Sequence, residues 1–182
     1  MPTLALMAHP ASAVPAHWRV EVQLELSADA LRLHYRFYAA DLRLPAAVTE
    51  NAALRADDLW QHTCAELFVA SGDDDAYREF NFSPSGQWAA YDFERYRQRA
   101  AALPAIAAPR IAVGARGGPG AELTEMTVLL PLAALPDTAY GPRSVGLTAV
   151  LEAADGLLSY WALTHPERTP NFHQRAGFAL PL

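Results

Sequence analysis

Most of this chain alternates apolar and polar residues with period two. In residues 18–26 (WRVEVQLEL), Val20, Val22, Leu24 and Leu26 share one face. After Ser27-Ala28-Asp29, Leu31, Leu33, Tyr35 and Phe37 share a face in turn, which is a hairpin pattern. The same reading predicts strands over 64–70, 76–82, 87–94, 109–115, 122–130, 145–152, 157–164 and near 177–181. Residues 41–58 read as a long connection, 95–105 as a short helix or turn before Pro104, Gly117–Gly120 as a turn, and 132–135 as one helical turn. There is no long amphipathic helix, fixed-length repeat or low-complexity tract. About ten short strands at regular spacing predict an all-β fold, a sandwich or barrel, in one domain over residues 1–182.

The most informative stretch runs from Leu59 to Glu94. In 64–70, Ala65, Leu67 and Val69 point one way while Glu66 and Phe68 point the other. Beyond Ser71-Gly72-Asp73-Asp74-Asp75, Phe80 and Phe82 share a face, and Tyr77, Glu79 and Asn81 share its opposite. A one-residue slip would bury both glutamates in the core, so register should put Glu66, Phe68, Tyr77, Glu79 and Asn81 on one surface. The turn Ser83-Pro84-Ser85-Gly86 leaves two outcomes. A two-residue turn puts Trp88, Ala90 and Asp92 on that surface. A glycine bulge at Gly86 puts Ala89, Tyr91 and Phe93 there. Either way aromatics meet carboxylates, which suits a groove where a ring stacks and polar groups bond hydroxyls. The alternative is the solvated side of an antiparallel sheet, for which Tyr77 and Phe68 are unusually apolar.

Composition narrows the classes. With 182 residues and 52% hydrophobic content the chain can bury a substantial core. A net charge of −6 lacks the basic footprint that nucleic acid demands. All fourteen basic residues are arginine. A single cysteine, Cys64, excludes an internal disulfide and a cysteine-rich metal site. The N-terminal residues lack the basic region and long apolar core of a secretion signal, and no run has transmembrane length. The expectation is a soluble, cytoplasmic, bacterial protein with no membrane partner. Its oligomeric state is not legible.

Other residues carry weaker signals. Asp73, Asp74 and Asp75 lack the spaced pattern of a calcium loop and read as a hairpin tip. His165 and His173 flank the loop 166–172, with no third metal ligand in view. There is no phosphate loop, nucleophile elbow or HExxH motif.

Trp60, AELFV at 65–69 and YREFNFSPSG at 77–86 together resemble DOMON-like domains and family 9 carbohydrate-binding modules. There a tryptophan precedes a strand with a central glutamate, and a Tyr-x-Glu-Phe-x-x-x-Pro-x-Gly hairpin follows. The closing SYWALTHPERTPNFHQRAGFALPL resembles the ending of a bacterial DOMON-like subgroup. The resemblance spans most of the chain. It implies an antiparallel β-sandwich of two sheets with a ligand site on one concave sheet. Relatives bind sugars or haem, and some hold calcium. Sugar-binding members clamp a ring between tryptophans, for which Trp60 and Trp161 are the matching positions. Haem-binding members use methionine and histidine; Met1, Met7 and Met126 supply no such match.

The expected function is therefore non-catalytic binding of a small molecule, a carbohydrate or sugar derivative. Because relatives are mostly exported and this chain shows no signal, the ligand could be an intracellular amino sugar or nucleotide sugar. The ligand-binding set is Trp60, Glu66, Phe68, Tyr77, Glu79, Asn81, Trp88, Trp161, His165 and His173, with no catalytic residue, metal ligand or obligate cofactor. The alternatives are a haem-binding redox domain, a glycoside-acting enzyme using Glu66 and Glu79, and a protein-interaction module.

Overall fold

The period-two segments become strands because alternate residues can be buried while every backbone group finds a ladder partner. A computed structural model describes residues 2–47, 54–102, 104–116, 123–139 and 141–182. The turn expected at Gly117–Gly120 lies outside them. Among the described residues there are twelve strands: β1 (Leu4–Ala8), β2 (Arg19–Leu26), β3 (Ala30–Tyr38), β4 (Cys64–Ser71), β5 (Tyr77–Phe82), β6 (Trp88–Arg95), β7 (Gln98–Arg99), β8 (Arg110–Arg116), β9 (Leu123–Pro131), β10 (Arg143–Glu152), β11 (Leu158–Ala162) and β12 (Leu180–Pro181). Single 3-10 turns occupy Leu59–Gln61, Leu132–Ala134 and Arg175–Gly177. Among the described residues no helix is long and apolar enough to cross a membrane.

The fold is all-β and antiparallel. Hydrogen bonds link the strands in the order β7-β6-β5-β4-β10-β11-β1-β2-β3-β9-β8, and β12 pairs with the start of β10. Two sheets with about ten strands in all were expected; among the described residues the strands form two arms joined into one hydrogen-bonded path. The joint is β1. Its residues Leu4, Ala5 and Leu6 pair with β2, and Met7 and Ala8 pair with β11.

Both arms of the path feed one core. Leu31, Leu33, Tyr35 and Phe37 of β3 and Met126, Val128 and Leu130 of β9 come from one arm. Leu67 and Val69 of β4, Phe80 and Phe82 of β5, and Leu147 and Leu151 of β10 come from the other. Each such side chain contributes roughly 1.5–3 kcal/mol by leaving water. The hydroxyl of Tyr35 crosses between the arms and donates to the backbone oxygen of Glu66 at 3.0 Å.

β4 is buried on both faces. Its second face lies under the chain that follows β11. There Phe68, Ala70, Tyr77, Ala89, Tyr91, Phe93 and Phe178 form a smaller apolar cluster, with Leu59 and Phe172 packed against it. The face is therefore covered, and the solvated-sheet alternative does not hold. Gly146 of β10 makes the close cover possible. A Cβ there would stand 3.0 Å from Cδ1 of Phe178 and 3.3 Å from the backbone oxygen of Gly177.

Candidate binding site

The register of β4, β5 and β6 assembles the site. Glu66 pairs with Asn81 and Phe68 with Glu79, so the two glutamates are diagonal neighbours on one face. The turn into β6 takes the bulged form: Gly86 has φ 90°, and its N–H donates to the backbone oxygen of Ser83. Asn81 therefore faces Ala89, Glu79 faces Tyr91, and Tyr77 faces Phe93. This corrects the expectation for Trp88. It points into the main core, 4% exposed, with the guanidinium of Arg55 5.1 Å from its ring.

Between this face and the covering segments lies a cleft of about 500 Å³. Glu66, Phe68, Glu79, Tyr91 and Phe93 line it from β4–β6, and Val150 and Tyr160 from β10 and β11. Asp58 and Trp60 form one wall, Arg97 and Arg99 a second, and Pro170, Asn171, Phe172 and His173 a third. Among the four tryptophans Trp60 is the exposed one, at 47%. Trp161 is 4% exposed and sits in the main core, its indole N–H bonded to Ser159 at 2.9 Å. A clamp between Trp60 and Trp161 is therefore not formed. Alternation along β11 explains why: Tyr160 takes the cleft side, and Trp161 must take the other.

Tyr77 and Asn81 support the lining from behind. Asn81 Nδ2 donates to Oε1 of Glu79 at 2.6 Å. The Tyr77 hydroxyl lies 2.8 Å from Nδ1 of His173, whose Nε2 is 3.8 Å from Oε2 of Glu79. His165 stands away from the cleft lining. Its Nε2 donates to the backbone oxygen of Met7 at 2.8 Å and its ring meets His9 edge-on, which anchors the C-terminal segment to β1.

The electrostatics follow from burial. Glu66 is 2% exposed and Glu79 5%. Burial first, then the neighbouring charge of Glu79, pushes the Glu66 carboxyl well above the usual carboxylate range; the bond from Thr148 at 3.0 Å opposes this. Burial also raises Glu79, against the Asn81 hydrogen bond and the charges of Arg99 and Arg97. His173 is pushed down to about 4, by burial and then by Arg97. Neither Arg78 nor Arg175 is spent on the glutamates. Arg78 forms a bidentate pair with Asp92, and Arg175 bonds Ser144 and the backbone oxygen of Gly72.

Several lining residues escaped sequence reasoning. Arg97 and Arg99 come from a segment expected to be a short helix or turn. The reversal there uses Arg97 itself at φ 53°, where a glycine or asparagine would have been the visible signal. The Arg99 guanidinium stacks 3.5 Å over the Tyr91 ring and pairs with Asp57 at 3.5 Å. Tyr160 and Phe172 were also missed, although strict alternation from Trp161 would have found Tyr160. Among the described residues no three His, Cys, Asp or Glu side chains are grouped to hold a metal ion. The tip at Asp73–Asp75 is exposed, with Asp74 accepting from the N–H of Ala76 at 3.3 Å. Met126 lies in the main core.

No protein-family model matches the chain, and no curated protein resembles it significantly in sequence. Solved structures do resemble it. A candidate carbohydrate-binding protein from Bacteroides uniformis superposes with a TM-score of 0.69 at 17% identity, over 100% of this chain and 86% of that one. A family 9 carbohydrate-binding module from Caldicellulosiruptor kristjanssonii, solved with glucose, gives 0.53 at 12% identity over 95% and 80%. A module of that family and organism, solved with cellotriose, gives 0.51 at 12% identity over 93% and 76%. These comparisons bear on the family 9 part of the resemblance. In architecture, this chain is like the family 9 carbohydrate-binding modules.

Proposed function

We propose that residues 1–182 form one carbohydrate-binding domain without catalytic activity, which holds a sugar or sugar derivative in the cleft beside Trp60. The two arms of the strand path are read as the two layers of a β-sandwich. The observation that carries the proposal is the mixed lining of the cleft. Aromatic faces of Trp60, Tyr91, Tyr160 and Phe172 share it with Glu66, Glu79 and two arginines. A pyranose has the matching surface, with apolar C–H faces that stack on rings and hydroxyls around its edge. The cleft volume falls among small-molecule sites, roughly 300–1,000 Å³. Solved structures of like fold holding glucose and cellotriose support the same reading.

Glycoside chemistry is the weaker reading. It needs one carboxylate free to attack or to activate water. Here Thr148 holds Glu66, and Asn81 holds Glu79. Haem ligation is not favoured either, since no described methionine lines the cleft.

Tryptophan fluorescence tests the proposal, because Trp60 alone is placed to respond at the surface. Titration with a panel of mono- and oligosaccharides and nucleotide sugars should give a saturable change for at least one of them. A flat response to all would refute sugar binding at this cleft.

A further inference from the structure

Three buried glutamates occur among the described residues, and they are served differently. Glu152 pairs with Arg43 at 2.9 Å and His62 at 2.8 Å. Glu79 has His173 at 3.8 Å and feels Arg99 and Arg97. Glu66 lines the cleft, yet its hydrogen-bond partner is the neutral hydroxyl of Thr148, and among the described residues no arginine or histidine forms an ion pair with it. A buried carboxylate without a cation is costly, and a cation arriving in the cleft relieves that cost.

We propose that the sugar taken by this cleft carries an amino group, seated as an ammonium against Glu66. The inference rests on the sugar-binding reading above and narrows it to a substrate class. The walls on this side suit a cation. Phe172 stands 6.5 Å from Phe68 and 6.1 Å from Tyr160, and all three rings line the cleft. Ring faces attract ammonium groups as well as C–H surfaces. The guanidinium groups do not compete for Glu66. Arg97 bonds Asn171 at 3.3 Å, Arg99 is stacked on Tyr91 and paired with Asp57, and both act on Glu79.

The groups facing Glu66 define its proton balance. Cys64 neighbours it on β4, Glu79 on β5 and Thr148 on β10; Tyr35 reaches its backbone from the other arm, and His173 lines the cleft from the covering segment. With no cation among these, burial and Glu79 favour the protonated acid. When an ammonium binds, the carboxyl O–H bond breaks, its proton passes to solvent, and an N–H⁺···⁻O pair forms in its place. Binding of the amine therefore releases a proton, whereas binding of a neutral sugar does not.

Isothermal titration of the full chain near about pH 6, in two buffers of different ionisation enthalpy, tests this. The probes are glucosamine, N-acetylglucosamine, glucose and cyclohexylamine. We expect glucosamine to bind at least about tenfold more tightly than glucose or N-acetylglucosamine, with proton release. Glu66→Gln should abolish both the preference for glucosamine and the proton release. Equal affinity for glucosamine, glucose and N-acetylglucosamine overturns the ammonium seat and leaves sugar binding intact. Cyclohexylamine binding without any sugar binding supports the seat and overturns the sugar reading. Silence from all four overturns both. The comparison of probes on the unmodified protein decides the matter even if Glu66→Gln does not fold.

Discussion

The hydroxyl of Tyr77 donates to Nδ1 of His173 across 2.8 Å. The backbone N–H of Arg97 donates to the same phenolic oxygen at 3.2 Å, and Nδ1 is the acceptor within reach of the phenolic hydrogen. Nε2–H is thus the side turned to Glu79. One hydroxyl ties three pieces of chain together: β5, the reversal between β6 and β7, and the segment that covers the cleft. Tyr77→Phe leaves an amide and a ring nitrogen without partners. Expected is a loss of about 1–3 kcal/mol in denaturant unfolding, with faster hydrogen exchange in residues 170–178.

The depressed pKa of His173 makes the fold acid-sensitive. Its folded value is about 4 against the ordinary 6.5, so the unfolded chain binds the extra proton between them. Stability from this group is complete above 6.5 and is lost as pH falls through about 4, by up to roughly 3 kcal/mol. In His173→Gln that contribution is gone. The stability difference between wild type and variant should rise with pH across this window; a flat difference would contradict a buried neutral imidazole.

Glu66 has the opposite sign. Its folded pKa is raised above 4.5, so the folded state holds the extra proton. Its contribution is complete below 4.5 and is lost as pH rises through the folded value. Glu66→Gln keeps an acceptor for Thr148 without the ionisable proton. The variant should match wild type near about pH 5 and exceed it by at least about 1 kcal/mol at alkaline pH, measured by urea unfolding.

Trp60 and Trp161 should separate binding from folding. Trp60→Ala removes a half-exposed ring at the cleft wall. It should change stability by no more than about 0.5 kcal/mol and weaken sugar binding about tenfold or more. Trp161→Phe opens space in the main core. It should cost about 1–3 kcal/mol and leave sugar affinity within about twofold.

Gly146→Ala tests the closeness of the cover. The added methyl meets Phe178 and the oxygen of Gly177, so the C-terminal segment must lift. Expected are a loss of about 1–3 kcal/mol and increased exchange at residues 175–178, with β4 and β5 unaffected.

Much of this arrangement is legible before any coordinates. Period two places Glu66, Glu79 and Asn81 on one face of two paired strands, while the turn at Pro84 and Gly86 leaves open whether Trp88 or Tyr91 joins them; the structure seats Tyr91 there. What alternation cannot show is what lies on top. The cover over this face comes from Phe172, His173 and Phe178, whose rings meet Phe68 from about a hundred residues away, in a segment with no periodicity. β1 was missed for a related reason. In LALMA, Leu4, Leu6 and Ala8 turn to the core, but the outward residues Ala5 and Met7 are apolar too, so period two leaves no mark in the sequence. The resemblance misplaced Trp161, whose side is decided by its own strand.

The position of β1 also has a consequence for how the chain is made. Synthesis delivers Met7 and Ala8 early, but their partners Ala162 and Trp161 emerge more than 150 residues later. At roughly 5–20 residues per second, half of β1 waits many seconds on the ribosome without its ladder. β2, β3, β9 and β8 can pair meanwhile, but the joint between the arms closes only when β11 arrives. The domain thus has a built-in late step, and its nascent forms present an open strand edge to whatever else is nearby.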